Sequence, residues 1–119
     1  MAWGKKMASK ALVAASTKPL VLAFLRNGEN YGYQIIQSVR RLSGGKLEWS
    51  EPMLYPLLKR MERDGLIKSE WKLTENKRFR RYFRLTEKGL KEHEQETAEW
   101  SMVNEILAKV LAPAPTAAS

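Results

Sequence analysis

The sequence contains no cysteine and only one histidine, and these shortages exclude several kinds of function. Without thiols, the chain can form no disulfide, thiolate zinc site or cysteine nucleophile. The histidine, His93, has no neighbouring Asp or Ser in a catalytic arrangement, and no metal-ligand spacing or glycine-rich phosphate loop is present. We therefore expect neither an enzyme nor a protein that holds a metal ion or another cofactor.

Long hydrophobic runs are also missing. No segment approaches the roughly 20 apolar residues that a membrane helix needs. The opening stretch MAWGKKMASKALVAAS resembles a signal peptide, but Lys10 interrupts it and the apolar run that follows is too short. The sequence therefore predicts no membrane partner, and we expect a cytoplasmic protein.

Positive charge is present in excess, with 21 Lys and Arg against 13 Asp and Glu in 119 residues and a net charge of +8. Residues 72–85 carry six basic side chains and one acidic one, whereas residues 86–111 carry three basic and six acidic ones. A clustered basic segment is typical of a surface that binds a polyanion. We expect the middle of the chain to meet nucleic acid, and the last long segment to have another role.

Apolar spacing predicts two helices in the first half of the chain. The first ends near Arg26 and contains Pro19, so that it either kinks there or divides into two helices. The second, YGYQIIQSVRRLSGG, follows Asn30 as its predicted cap. Its predicted buried stripe consists of Ile35, Ile36, Val39 and Leu42.

A third helix is predicted to begin after Ser50 as its cap, with Pro52 in its first turn, where a missing N–H costs nothing. Pro56 lies further inside and is expected to bend the helix near its start. Gly65 is the stop signal. The predicted buried face consists of Leu54, Leu57, Leu58 and Met61.

The next segments, LIKSEWKL and RRYFRL, alternate between apolar and polar residues and are joined by the short link TENKRF, which predicts a β-hairpin. We place Ile67, Ser69, Trp71 and Leu73 on one face of its first strand. Thr86 then caps a long last helix. Its stripe suits packing against another helix and consists of Leu90, His93, Thr97, Trp100, Val103, Leu107 and Val110.

Three helices followed by a hairpin is the order of a winged helix-turn-helix, in which the third helix enters the major groove of DNA. The predicted fold class is therefore mainly α with a small β-hairpin, extended by the long C-terminal helix. Basic side chains neutralise phosphates, whereas residues early in the third helix read base edges. The phosphate candidates are Lys77, Arg78, Arg80 and Arg81 in the wing and Lys59 and Arg60 in the helix. The base-reading candidates are Ser50, Glu51, Met53 and Pro56. Tyr55 either bonds a phosphate or packs under the wing.

Several runs resemble the PadR-like family of bacterial transcriptional regulators, in its compact form with one C-terminal helix. They are AASTKPLVLAFL, ENYGYQII, LEWSEPMLYPLLKRMERDGLI, RRYFRLTEKG and EWSMVNEIL. The resemblance implies a homodimer that binds inverted-repeat operator DNA, usually as a repressor, with the last helix crossing the partner's first helix. The predicted organisation is a DNA-binding domain at 1–85 and a dimerisation helix at 86–111, followed by a disordered tail at 112–119, because APAPTAAS has no core-forming content.

Site residues are carried over by position. Tyr31, Gly32 and Tyr33 open the second helix near the DNA backbone. Ser50, Met53, Tyr55 and Pro56 fall on the reading helix, and Arg78, Arg80 and Arg81 on the wing. Relatives often have a glycine in the wing turn, where this chain has ENKRF. We expect Asn76 to take the left-handed conformation in its place.

Some members of that family bind flat aromatic compounds between tryptophans of the last helix, and Trp100 matches that position. The resemblance therefore implies an effector site at Trp100, lined by Ala14, Ala15 and Lys18. The alternative is that Trp100 fills the dimer core.

Other partners are weighed on charge and composition. A winged-helix adaptor that binds protein would have an acidic or apolar wing, and this wing is basic. RNA binding calls for an aromatic-rich sheet that the chain lacks. We therefore expect double-stranded DNA and a second copy of the chain as partners, at the bacterial nucleoid.

Overall fold

The structure, a computed structural model, describes residues 7–114 and contains four helices and a small sheet. The elements follow in the order α1 (Lys10–Arg26), β1 (Asn30–Tyr31), α2 (Gly32–Leu42), α3 (Glu51–Arg63), β2 (Ile67–Leu73), β3 (Phe79–Leu85) and α4 (Glu87–Leu111). This order confirms the predicted mainly α, winged helix-turn-helix class. Most of the tail predicted to be disordered, at 112–119, lies outside the described residues, as does the start of the opening stretch that resembles a signal peptide.

One apolar core joins the first three helices to the base of the sheet. It buries Val21, Leu22, Leu25, Ile35, Val39, Trp49, Leu54, Leu58, Met61, Leu66, Ile67 and Phe83. The core takes residues from every element except β1 and α4. The body of the molecule is therefore packed without the second half of α4.

The first helix continues through Pro19 from Lys10 to Arg26, so that the predicted division into two helices does not occur. Its N-terminus is capped by the Ser9 side chain, which accepts a hydrogen bond from the backbone N–H of Leu12 at 3.2 Å. Capping of this kind satisfies an N–H that has no partner inside the helix. The helix therefore spans the body in one piece, with Val21 and Leu25 in the core.

Two predictions for the second helix are wrong. Asn30 is not its cap, because this residue lies in β1, which pairs with β3 through Asn30↔Phe83 and Tyr31↔Tyr82. The hairpin is thus part of a three-stranded sheet in the order β1-β3-β2. Leu42 is 71% exposed, because it ends the helix beyond the edge of the core.

The third helix begins as predicted, with Ser50 at the N-cap position and Pro52 in the first turn. The Ser50 side chain makes no capping hydrogen bond, and its carbonyl instead accepts from the backbone N–H of Leu54 at 2.9 Å. The helix continues past Pro56 to Arg63. Its buried residues are Leu54, Leu58 and Met61.

The tip of the hairpin corrects the expectation for Asn76. Lys77, with φ 58°, has the positive φ, and it is the one residue other than glycine with this conformation between residues 7 and 114. Thr74 donates its N–H to the Arg78 carbonyl at 2.7 Å and accepts from the Lys77 N–H at 2.9 Å. A three-residue hairpin loop places its left-handed residue last. The loop length therefore assigns this conformation to Lys77 rather than to the preceding asparagine.

The start of α4 is fastened to the turn that follows α3. Thr86 caps α4 as predicted and donates its hydroxyl to the Gly65 carbonyl at 2.6 Å. At Gly89, the backbone of α4 lies so close to the Leu66 carbonyl oxygen that a Cβ would overlap it. Lys88 Nζ donates to the Asp64 carbonyl at 2.8 Å. These contacts fix the direction of α4 relative to the end of α3.

Candidate DNA interface

The N-terminal half of α3 and the wing, defined as residues 67–85, enclose an open groove of about 640 Å³, which we call the interface groove. Its lining combines aromatic and charged side chains: Tyr31, Tyr33, Glu51, Tyr55, Trp71, Arg78, Phe79, Arg80 and Arg81. Three arginines face one carboxylate in this set, so that the groove favours an anion. Seven of the residues predicted to meet DNA are brought together here: Tyr31, Tyr33, Glu51, Tyr55, Arg78, Arg80 and Arg81.

The contact of Tyr55 with Gly32 explains the glycine in the YGY motif. A Cβ built on Gly32 would lie 2.8 Å from the Tyr55 hydroxyl oxygen, closer than such atoms approach in proteins. Gly32 therefore has a packing role at the start of α2, and its buried position leaves no surface for DNA. Burial raises the pKa of Tyr55 and nearby Glu51 adds to the rise, while Arg80 and Arg81 oppose it. The phenol thus remains neutral at physiological pH and can donate a hydrogen bond.

Arg80 is held in place by an aromatic ring. Its guanidinium lies 4.6 Å from the centre of the Tyr31 ring, which in turn meets Tyr82 edge to face at 5.4 Å. Stacking of this kind orients a guanidinium without neutralising it. Lys72 is tied to Glu29 at 2.6 Å, and this hydrogen bond raises the pKa of Lys72. Arg80 thus keeps its charge available to a ligand, whereas the charge of Lys72 is partly compensated.

Arg81 is engaged inside the protein, unlike the other basic residues predicted for the wing. Its Nη2 donates to Glu62 Oε1 at 2.6 Å and its Nε to Ser69 Oγ at 2.9 Å. Glu62 Oε2 accepts from the backbone N–H of Ser69 at 3.1 Å and also from the Ser69 hydroxyl. These bonds join the last turns of α3 to the middle of the wing. Arg81 therefore positions the wing, and Glu62 partly compensates its charge.

The remaining candidates lie in four places. Ser50 is exposed at the N-cap of α3, and its hydroxyl donates no hydrogen bond within residues 7–114. Pro56 and Lys59 line a neighbouring depression of about 370 Å³, and Arg60 is exposed on the same helix. Met53 lies away from the interface groove, because it packs partly buried against the core beside the first turns of α1. Lys77 is exposed at the wing tip, next to the groove residue Arg78.

The sequence reasoning missed Trp71 and Phe79 as groove residues. Alternation assigns Trp71 to the same face as Ile67, and the register confirms this face. However, Ile67 is buried, whereas Trp71 is 63% exposed, because the wing extends beyond the core that its base covers. The length of the strands could have identified these residues. Each strand has seven residues, and only the residues at the base of the wing are covered by the core.

The predicted effector residues are not gathered around Trp100. Trp100 lines an open depression of about 280 Å³ between α1 and α4, together with Ser16, Pro19, Leu20, Thr97, Ser101 and Asn104. Lys18 pairs with Glu96 at 3.0 Å and Glu92 at 3.8 Å. Ala14 lines a separate depression beside Met53, and Ala15 is exposed. Only Trp100 of the four thus reaches this depression.

Three helices, a basic hairpin packed on the third of them and a groove between the two define the class of winged-helix DNA-binding proteins. The model of the transcriptional regulator PadR-like family matches residues 21–95. This match spans more than half of the chain, which therefore belongs to the PadR-like family. The chain is a DNA-binding transcriptional regulator and not an enzyme.

Solved structures agree with this assignment. A PadR-like transcriptional regulator from Bacillus cereus is 26% identical, with a TM-score of 0.78 over 88% of this chain and 100% of the other. A transcriptional regulator from Clostridium thermocellum is 28% identical, with a TM-score of 0.74 over 87% and 100%. A PadR-family regulator from Eggerthella lenta is 32% identical, with a TM-score of 0.68 over 87% and 88%. Within residues 7–114, no helix has the length and apolar character to cross a membrane.

Proposed function

We propose that this protein is a homodimeric repressor that binds inverted-repeat operator DNA in the cytoplasm, at the nucleoid. The observation that carries the proposal is the interface groove, in which the start of α3 and the basic wing share one surface. A phosphodiester strand that passes between the major and minor grooves fits between two such elements. The basic groove also favours DNA over the alternative role of a protein-binding adaptor.

The proposed division of labour follows the exposure of the side chains. Ser50 and Glu51, at the exposed N-terminus of α3, read base edges in the major groove. The phosphate contacts come from Lys59, Arg60, Lys77, Arg78 and Arg80, none of which forms an ion pair with another residue between 7 and 114. Met53 and Gly32 are left out of the contact set because of their packing. Tyr55 donates its hydroxyl to a phosphate at the floor of the groove.

Binding to duplexes selected from random DNA tests this proposal, with fluorescence anisotropy measured at several salt concentrations. A dimer that contacts about 6 to 10 phosphates loses about 10³ to 10⁵ in affinity between roughly 50 and 200 mM salt. Arg78→Ala should weaken binding to all duplexes alike, whereas Ser50→Ala should change the preference between them. A flat salt dependence, or the same response to both changes, would reject the proposed contacts.

The dimer is supported by the second half of α4. Beyond the contact of α4 with α1, its apolar side chains project into solvent within residues 7–114: Trp100, Val103, Ile106, Leu107, Val110 and Leu111 are each at least 39% exposed. A contiguous apolar surface of this kind marks an interaction site. We assign it to a second copy of the chain, whose α1 and α4 it would cover.

Release by a planar aromatic compound is supported by Trp100, which is 39% exposed and lines the depression between α1 and α4. Two indoles related by the dimer axis could stack on such a compound. Quenching of tryptophan fluorescence by planar aromatic compounds should then disappear in Trp100→Leu. Leucine keeps the apolar volume, so that a dimer with unchanged quenching would leave Trp100 as a core residue only.

A further inference from the structure

The tip of the wing carries an apolar patch on a strongly basic hairpin. Trp71 is 63% exposed, Leu73 is 60% exposed and Phe79 is 67% exposed. The register places all three on one face, because Leu73 is directly opposite Phe79 and Trp71 is two residues away on the same strand. We call these three residues the wing patch. Exposed large apolar side chains weaken solubility, so their grouping at one tip requires an explanation.

The surroundings of the wing patch indicate what covers it. Residues 72–85 carry six basic side chains and only one acidic residue, Glu75, which favours a polyanion over an apolar or basic protein surface. Trp71 and Phe79 also line the interface groove opposite Tyr55 and Glu51 of α3. A duplex seated on α3 would therefore meet the wing patch from the same side. The charge and the shared groove together identify the occupant as DNA.

We propose that the wing patch enters the minor groove as an apolar wedge and bends the duplex. This inference rests on the proposed function, because it needs operator DNA seated on α3. Apolar side chains inserted from the minor groove unstack base steps and bend DNA by about 20–90°. Since TA and CA/TG steps deform most easily, the wedge favours operators with such a step beneath the wing. The chain thereby selects sequence at a position that no polar side chain reads.

The test uses a selected operator duplex labelled at its two ends, with the bend followed by energy transfer in the complex. The wild-type protein should shorten the end-to-end distance. The double variant Trp71→Ser and Phe79→Ser should bind this duplex about tenfold more weakly, the change expected of one wrong base pair. It should also leave the duplex straighter and lose its preference for a TA step over an AA step. The slope of affinity against salt should stay the same, because every basic side chain is retained.

Two controls separate the wedge from other effects. Leu42→Ser removes a side chain that is 71% exposed on α2 and should leave the bend and the affinity unchanged. Arg78→Ala should reduce the salt slope by about one for each phosphate that Arg78 neutralises, while the complex that forms keeps its bend. Thermal unfolding should show the double variant to be as stable as the wild type, since both side chains are mostly exposed.

Three outcomes would overturn the proposal. The double variant could bend and bind the operator as the wild type does, which would show that the patch does not touch DNA. It could sediment at a lower mass without DNA, which would make the patch a contact between copies. Failure of the wild-type protein to bind any duplex would overturn the proposed function as well, and this result is distinct from the other two.

Discussion

The winged-helix body buries its large apolar side chains, whereas the second half of α4 exposes them. The body, residues 10–90, buries Val21, Leu22, Ile35, Leu54 and Leu58 to 1% exposure or less. In residues 97–111, which we call the arm, every residue is exposed, and Val110 and Leu111 exceed 70%. Both regions contain regular helices, so the difference lies in packing. Secondary structure thus does not reveal whether a segment has found its partner.

The body contains its own buried core, whereas the apolar side chains of the arm are exposed within residues 7–114. A helix of about 15 residues without tertiary contacts is marginal in water. The arm lies within α4, which begins on the body with Thr86 as its cap. The helical structure of the arm therefore continues from the body, and its apolar side chains are available to the proposed dimer contact.

The largest expected effect is a loss of stability of the body. Gly89→Ala should lower the free energy of unfolding by about 3 kcal/mol, because the new methyl group overlaps the Leu66 carbonyl oxygen and backbone atoms must move. At an uncrowded helix position, replacing glycine by alanine would instead stabilise the protein by about 1 kcal/mol. A Gly89→Ala variant more stable than the wild type would therefore contradict the close packing of Gly89 on Leu66. Urea unfolding gives the measurement. Glu94→Ala, at an exposed position of α4, should change stability by less than about 0.5 kcal/mol.

The next effect is a weaker dimer contact of the arm, with no change in the stability of the body. Leu107→Glu places a charge in the proposed dimer contact, and the dissociation constant should rise at least about tenfold, equal to about 1.4 kcal/mol. Sedimentation over a range of concentrations measures it, and unfolding of the monomer should not change. Ala98 lies nine residues before Leu107, about two and a half turns, and therefore on the opposite side of the helix, so Ala98→Glu should leave the dimer unaffected. Equal weakening by both changes would remove the arm from the interface.

A smaller effect is expected inside the body, where the ion pair between Arg81 and Glu62 connects the wing to α3. Both side chains are about one-third exposed, so Glu62→Gln should cost only about 1 kcal/mol. The freed Arg81 should strengthen binding to all duplexes and reduce sequence preference. Hydrogen exchange at the Ser69 N–H and anisotropy follow the two effects. Glu70→Gln, at an exposed position of β2 next to Ser69, is the control. The same response there would show that the Arg81–Glu62 pair does not hold the wing on α3.

The smallest effect concerns the wing turn. Lys77→Gly should stabilise the protein by about 0.5 kcal/mol, because a left-handed residue costs about 1–2 kcal/mol and the flexibility of glycine offsets part of the gain. Thermal unfolding measures this difference. Asn76→Gly should be neutral or slightly destabilising, since the φ of Asn76 is not positive. The opposite ranking would return the left-handed position to the asparagine.

Periodicity was sufficient to predict the four helices and the wing, because their apolar faces repeat over many residues. It could not predict β1, whose two residues depend on Tyr82 and Phe83, some 50 positions away. The family resemblance implied the groove residues Tyr55, Arg78 and Arg80, and all three lie there. Their contact with DNA stays a prediction.

Other site features depend on tertiary contacts. The engagement of Arg81 was not predictable, because its partner Glu62 lies 19 residues earlier on another element. Met53 follows Pro52 on α3, and only the position of α1 shows that its side chain is partly buried. The Asn76 prediction was wrong because the turn type depends on where pairing stops, between Leu73 and Phe79. In each case, the deciding information was a distance between segments.

The packing of Gly89 on Leu66 has a consequence for the spacing of a DNA site. Since α4 leaves the body immediately beside the end of α3, the angle at which two arms cross in the proposed dimer also sets the distance between the two third helices. Half-sites on one side of the duplex repeat about every 34 Å. A ligand that alters the crossing angle would thus move one third helix out of phase with the helical repeat, without touching either groove.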